Sequence, residues 1–540
     1  MTINSSLPSG EFDYVIVGAG SSGCVLANRL SEDPDISVCL IEAGGTHKHW
    51  SVWVPGALLW NMVTKKRNWQ FETVPQRGLN NRSGYQPRGK VLGGSSALNA
   101  MIYIRGHAED YNEWARLGNE GWSYQDVLPF FKKSENREAG GEDYHGVGGE
   151  LNVASVASPG SINEMFFAAC DELQMPRNSD FNGANQEGVG PYEVTHKNGE
   201  RWSTARAFLD PIVERKNLTI ITEAMTEKVV VEDGRAVAVR YRHRQRSHEV
   251  TARREVILSA GAFGSPQILL LSGIGSKAKL EPHGIGQVHE LPGVGENLQD
   301  HPDYVLTYNS DLKDNVGFSV GGAFRMIGEV FRYRRERTGL LASNIAESGG
   351  FIYVDRNEPS PDIQLVFVRA VIDDHGRKLH WGHGYSLHIT VLRPKSRGSL
   401  WLNSADPSAA PAIDPAFLED ERDMDKLLRG TRVGQQIMQS SAFAGVRGKP
   451  LYASASDDDT VLRKDIRNRA DTQYHPVGTC KMGHDKMAVV DDRLRVHGIE
   501  GLRVVDASIM PNLISGNTNA PSIMIGEKGA HMVKEDWAGR

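Results

Sequence analysis

Three glycines, Gly18, Gly20 and Gly23, stand in the spacing G-x-G-x-x-G, and an acid, Glu42, follows 19 residues after the last of them. In that spacing the first glycine permits a tight turn and the second lets a pyrophosphate approach the backbone. The third lets a helix pack close to a strand. A helix opening at Ser21 and Ser22 offers amide groups and the positive end of its dipole to phosphate oxygens. Glu42 can accept hydrogen bonds from a ribose diol. The chemistry is dinucleotide binding, and these residues alone do not choose between a nicotinamide and a flavin.

The elements that must position these residues are legible around them. Asp13 to Val17 is a short apolar run before the glycines, Cys24 to Leu30 reads as the helix after them, and 36–41 is a second strand ending at Glu42. In a chain with 57 glycines a lone glycine motif says little, but strand, turn, helix, strand and terminal acid fall in register here. Strands are expected within 217–239 and 249–258, with a turn at Glu232-Asp233-Gly234. They lead into the small-residue exit Ser259-Ala260-Gly261-Ala262. Near the far end, 502–508 reads as another strand running into a small-residue turn, and 521–533 as a helix. The segments 156–205 and 306–470 differ in character, with Pro/Gly punctuation and alternating strands at 386–392 and 399–402. The expected fold class is α/β. A discontinuous Rossmann-like nucleotide-binding domain (1–155, 206–305 and 471–540) carries an inserted α+β substrate domain (156–205 and 306–470) built on an antiparallel sheet.

Composition narrows the function classes. The chain has 540 residues, 39% of them hydrophobic and 24% charged, which is a soluble globular profile. With 61 basic and 67 acidic side chains the net charge is −6, which argues against a dedicated nucleic-acid binder. Cys24, Cys39, Cys170 and Cys480 are isolated, so neither a disulfide framework nor a zinc site is expected, and a reducing compartment fits. The opening MTINSSLPSG lacks the basic and apolar regions of a signal peptide, and no apolar run is long enough to span a bilayer. The expectation is a cytoplasmic protein, at most peripheral to the inner face of a membrane.

Two further glycine-rich blocks carry a family resemblance. One is Arg88-Gly89-Lys90-Val91-Leu92-Gly93-Gly94-Ser95-Ser96-Ala97-Leu98-Asn99. The other is Gly261-Ala262-Phe263-Gly264-Ser265-Pro266-Gln267-Ile268-Leu269-Leu270-Leu271-Ser272-Gly273-Ile274-Gly275. Position by position they resemble the signature patterns of the glucose–methanol–choline (GMC) family of flavin oxidoreductases. The likeness continues through 292–301, 505–511 and 516–521, so it covers nearly the whole chain. Tyr474-His475-Pro476-Val477-Gly478-Thr479-Cys480-Lys481-Met482-Gly483 and Ala346-Glu347-Ser348-Gly349-Gly350-Phe351 look most like the choline-dehydrogenase branch. Within it, the chain looks closest to acceptor-linked aliphatic alcohol and polyethylene glycol dehydrogenases.

The resemblance implies FAD, with its ring system where the inserted domain meets the nucleotide domain. It assigns Gly18, Gly20, Ser21, Ser22 and Gly23 to the pyrophosphate and Glu42 with Ala43 to the ribose. Arg88, Leu92, Gly93, Gly94, Ser95, Asn99, Ala100, Met101 and Ile102 would pass along the flavin. Thr226 would read the adenine through its backbone, and Ala260, Gly261, Asp506, Ala507, Asn517 and Thr518 would close the cofactor site. Some relatives carry a flavin-linked histidine where Leu98 stands here, so noncovalent FAD is expected. The family places its catalytic histidine in the block occupied by His475, with a second His or Asn some forty residues on. Asn519, 44 residues after His475, is taken as that partner. A base is needed because an alcohol is about as weakly acidic as water, with a pKa of about 15.7. Neutral imidazole suits the task. The implied reaction oxidises a primary alcohol to an aldehyde by hydride transfer to flavin N5, and electrons pass to a quinone or similar acceptor.

Alternatives stay open: an oxidase using oxygen, a choline dehydrogenase, and a non-redox lyase or decarboxylase of the same family. The intact histidine block argues against the last. Tyr474 and Glu347 are substrate candidates. Glu347 could attract a cationic substrate, or hold a loop by hydrogen bonds. The alternating Arg240, Arg242, Arg244 and Arg246, with a turn at Ser247-His248, read as a solvated hairpin face. The stretch 324–337 mixes apolar residues with arginines. It reads as a helix on the cap with a solvated basic face, with contact to an anionic lipid surface as the alternative. No metal site is expected, and the sequence does not fix an oligomeric state.

Overall fold

The structure, a computed structural model, describes residues 10–539. The N-terminal residues on which the leader-sequence reading rests lie almost wholly outside that range. A parallel sheet runs through the first domain in the order Leu218–Ile221, β2 (Val38–Ile41), β1 (Glu11–Val17) and Arg246–Leu258. β1 is buried from Phe12 to Val17 without alternation, as expected for a strand covered on both faces. The long strand Arg246–Leu258 has two partners along one edge. Its first half pairs antiparallel with Arg235–His243, and its end pairs parallel with Leu502–Val504. Chain segments far apart in sequence therefore bring their carboxyl ends to one crevice, where doubly wound sheets bind ligands. Helix α1 (Ser21–Leu30) packs beside Asn519–Trp537, the C-terminal helix.

The second sheet is antiparallel, in the order Asp471–Thr472, Pro302–Ser310, Gly382–Val391, Ile363–Val368, Ser348–Ile352 and Gly188–Pro191. Period-two alternation divides its faces. Tyr304, Leu306, Leu365, Phe367, Leu387 and Ile389 share a core with the helix Glu421–Gln439. That helix comes close because Gly430 and Gly434 lie over the sheet. A Cβ on Gly434 would sit 2.7 Å from the Ile389 side chain. The opposite face, with Val366, Val368 and His388, looks onto the cavity between the domains.

The expected architecture holds, with shifted borders. Besides Gly188–Pro191, the strands of the substrate sheet run from Pro302 to Thr472 in the chain. The hairpin Ser399–Trp401/Ala412–Asp414 falls inside the expected substrate domain, yet its Leu400 and Ile413 pack into the nucleotide-domain core. The arginine hairpin turns at Arg244-Gln245, both with positive φ, so Ser247 and His248 lie in the returning strand. The C-terminal helix extends from Asn519 to Trp537, longer at both ends than the expected 521–533.

Candidate cofactor and active site

Two glycine loops form the floor of the cavity. Gly18 adopts φ +98°, and a Cβ there would lie 2.5 Å from the Ser259 carbonyl oxygen. A Cβ on Gly94 would sit 2.7 Å from Gly20 Cα, so the two signature loops touch backbone to backbone. The N-terminus of α1 carries no side-chain cap, which leaves its first amides for an anionic ligand. Glu42 accepts hydrogen bonds from the amides of Ala19 (2.9 Å) and Gly44 (2.7 Å), and burial raises its pKa to about 7. Asp506 accepts from Ser265 Oγ (2.5 Å), Gly261 N (2.9 Å) and Ser508 N (2.8 Å), and burial raises its pKa as well. Bare helix amides, a backbone-only cradle and an inward carboxylate fit a dinucleotide such as FAD.

Gly18, Gly20, Ser21, Ser22, Glu42, Ala43, Arg88, Gly94, Ser95, Asn99, Ala100, Met101, Ile102, Thr226, Ala260, Gly261, Asp506, Ala507, Asn517 and Thr518 all line this one cavity, as do Leu98, Tyr474, His475 and Asn519. Gly23, Leu92 and Gly93 are not among the residues lining it and lie behind those that do. Gly23 packs against Gly18, where a Cβ would lie 1.9 Å from the carbonyl oxygen. The amides of Leu92 and Gly93 donate to Gly45 and Ala19, bracing the loops that do line it. Buried Arg201 holds the flavin-side loop by donating to the backbone and side-chain oxygens of Asn99 (2.6 and 2.8 Å), a role no local motif announces.

His475 sits at the end of an ordered chain of hydrogen bonds. His301 Nε2 lies 3.0 Å from the carbonyl oxygens of both Leu392 and Ile514. Carbonyl oxygens only accept, so this nitrogen carries the proton. Burial lowers the His301 pKa to about 4, so the ring is neutral and its Nδ1 holds a lone pair. His475 Nδ1, 3.0 Å away, must then donate. The remaining nitrogen, His475 Nε2, is left as a lone pair. Burial, reinforced by His301 and Arg88, holds the His475 pKa well below its ordinary value. Its backbone is pinned too. The His475 amide donates to Asp300 (2.9 Å), whose pKa burial raises to about 6, and Tyr474 before it has φ +71°.

The second member of the pair is Asn517, and this corrects the assignment of Asn519. Asn517 Nδ2 lies 3.3 Å from His475 Nε2, and Gln364 donates to Asn517 Oδ1 at 3.0 Å, fixing which way the amide points. Asn519 opens the C-terminal helix and turns to α1, where its Oδ1 accepts from Ser21 Oγ at 2.7 Å. Glu347 is likewise corrected as a substrate candidate. It is 2% exposed and forms an ion pair with Arg369 at 3.1 Å. It also accepts from Asn163 (2.6 Å), from Gly160 N (2.7 Å) and from the Ser343 hydroxyl. Tyr474 does line the cavity, its hydroxyl 2.7 Å from His375 Nδ1. The far wall is apolar, with Leu58, Leu59, Met62, Ile345, Val366, Val368 and Ile372. Asn344, His375 and His388 also line the cavity, and His388 is held by Asp303 at 2.6 Å. Glu42 and Asp506 are the carboxylates among the described lining residues, and both are occupied by backbone amides.

The chain is similar to known proteins over nearly its whole length. A family model described as GMC oxidoreductase matches residues 12–303 with its N-terminal part and 394–526 with its C-terminal part. The chain is 47% identical to an alcohol dehydrogenase [acceptor] of Pseudomonas putida, covering 97% of this chain and 95% of that one. It is 45% identical to an oxygen-dependent choline dehydrogenase of Cronobacter sakazakii, covering 97% and 95%. Among solved structures it superposes on an Aspergillus oryzae formate oxidase studied for its FAD modification. The TM-score there is 0.91 at 25% identity, covering 99% of this chain and 100% of that one.

Proposed function

Because the chain belongs to the GMC oxidoreductase family of FAD enzymes, we propose that it oxidises an uncharged primary alcohol to the aldehyde and passes the electrons to a quinone or similar acceptor. FAD, when bound, supplies the hydride acceptor. The observation that carries the reading is the unprotonated His475 Nε2, which the His301 chain leaves without a hydrogen and which faces the Asn517 amide at 3.3 Å. That nitrogen takes the hydroxyl proton as the carbon–hydrogen bond breaks, which is general-base work. Asn517 offers a second N–H to the same hydroxyl oxygen and orients it. Leu98, beside the flavin-side loop, has no nucleophile, so the cofactor is held without a covalent bond.

The apolar far wall favours an aliphatic chain. A trimethylammonium group would find no carboxylate among the described lining residues of that wall, because Glu347 is spent on Arg369. This supports an uncharged alcohol over choline. All four cysteines are buried and unpaired, which supports a cytoplasmic site of action.

The test is an anaerobic screen of the FAD-loaded protein against primary alcohols, choline and glycol ethers. Bleaching of the oxidised-flavin absorbance by an alcohol is the expected result. Failure of every alcohol to bleach it would reject the reading. Readmitting air then separates the two electron sinks, because rapid return of the colour would mark an oxidase.

A further inference from the structure

The cavity roof has an outer face that nothing in the fold covers. In the helix Leu58–Val63, Leu58, Leu59 and Met62 line the cavity, while Trp60 points outward at 57% exposure beside exposed Val63. Trp60 lies beside Trp50, itself 55% exposed, with ring centroids 6.3 Å apart and planes tilted by 39°. The roof is joined to two neighbouring segments. Gly376 approaches Leu59, and Gly56 approaches Leu341, which follows the helix Val320–Glu336. Those segments carry further exposed aromatic residues. Trp381 is 76% exposed and bridges to exposed Phe318, while Phe324 and Phe331 on the helix are 73% and 68% exposed. Ordinary soluble surfaces scatter such residues singly, whereas here Trp50 with Trp60 and Phe318 with Trp381 are paired on neighbouring segments, a grouping that marks an interaction site.

Basic groups are set among these side chains. Lys65, Lys66 and Arg67 follow the roof helix directly, and Arg334 lies on the long helix. None of the four forms an ion pair among the described residues, although the chain as a whole carries a net charge of −6. Glu336, on the same helix as Arg334, is taken up by Arg335 and Arg332. No helix among the described residues is long and apolar enough to cross a membrane.

We propose that this surface docks on an anionic phospholipid bilayer, with the aromatic side chains in the headgroup region and the cavity roof facing the lipid. Tryptophan and phenylalanine flanked by lysine and arginine are the composition of an interfacial anchor. Charge argues against a second copy of the chain as the occupant. A twofold contact would set Lys65, Lys66 and Arg67 against the same surface of the partner, whereas anionic lipid compensates them. That the docked face also admits a lipid-dissolved electron acceptor rests on the function proposed above. The docking itself does not.

The test is co-sedimentation of the full-length FAD-loaded protein with vesicles of phosphatidylcholine alone or mixed with phosphatidylglycerol, in the absence of any alcohol. The parent should bind the phosphatidylglycerol vesicles about tenfold or more better than phosphatidylcholine alone, and lose that binding in high salt. The double variant Phe324→Ser/Phe331→Ser should bind at least about tenfold more weakly. Its alcohol oxidation with a water-soluble dye should be unchanged. A parent that ignores phosphatidylglycerol would overturn the proposal, and so would a folded double variant that binds like the parent. A parent that is a dimer in solution, converted to monomer by the double variant, would assign the surface to a second copy instead.

Discussion

His301 and His475 meet through their Nδ1 atoms at 3.0 Å, with their ring planes 87° apart. Two backbone carbonyls at the far side of His301 decide where every proton in the pair must lie. His301 therefore acts through His475, as a positioning residue. His301→Ala should keep bound FAD yet slow reduction by alcohol about tenfold or more, a part of the usual general-base contribution. Stopped-flow absorbance on the FAD-loaded variant measures this, and unchanged reduction would remove His301 from the account.

The same burial sets the pH dependence. His475 is held well below its ordinary pKa, so it is already an unprotonated base at neutrality. The rate of reduction should stay level as pH falls from about 8 to the ordinary imidazole value near 6.5, and decline only below it. The sign for stability is the same. A histidine with a depressed folded pKa stabilises the fold above about 6.5, and that stability is lost as pH falls towards the folded value. For His301 the folded value is about 4. A rate profile with its acid limb at or above pH 6.5 would contradict the burial argument.

Asn517 and Asn519 should separate by phenotype. Asn517→Ala removes the amide beside His475 Nε2 and should slow reduction by up to about 10²-fold, in the range for loss of one donor to a reacting oxygen. Asn519→Ala removes the acceptor of Ser21 at the glycine loop. It should weaken FAD affinity and leave the rate of the fully loaded enzyme near the parent's. Titration of the apoprotein with FAD, paired with stopped-flow reduction, distinguishes them. The reverse pattern would return the pair to His475 and Asn519.

Glu347 gives a stability result. Glu347→Gln takes from buried Arg369 its nearer counter-charge and leaves Asp314 at 3.9 Å, so the loss should be up to about 3–5 kcal/mol, the range for breaking a buried pair. Denaturant unfolding should show that loss, while the ratio of kcat/KM for choline to that for a medium-chain alcohol stays as in the parent. A selective loss of choline turnover with intact stability would make Glu347 a cation site after all.

How much of this was legible in the sequence depended on how far each role reaches along the chain. The glycine loop and Glu42 depend on neighbours within one strand–turn–helix unit, and Gly18, Gly20 and Glu42 lie where that reading placed them. Gly23 and Gly93 lie behind the lining, since the motif does not separate residues that face a cavity from residues that let two backbones meet. The sequence reading places Asn517 at the cofactor site and not beside His475, because a residue count cannot tell which of two asparagines faces the histidine. That is set by where the C-terminal helix begins. His301 stood in a recognised block without a role, since its role exists only through His475, 174 residues away. Glu347 was ambiguous for the same reason, its charge partner being on the next strand of the sheet.

The central claim is that His475 takes the hydroxyl proton, and it is tested most directly by stopped-flow reduction of FAD-loaded His475→Ala by a saturating primary alcohol. The variant should retain FAD, because the glycine loops, Glu42 and Asp506 are untouched, and reduction should fall by about 10² to 10⁴. Reduction at the parent rate would contradict the account and send the search for the base elsewhere along the cavity.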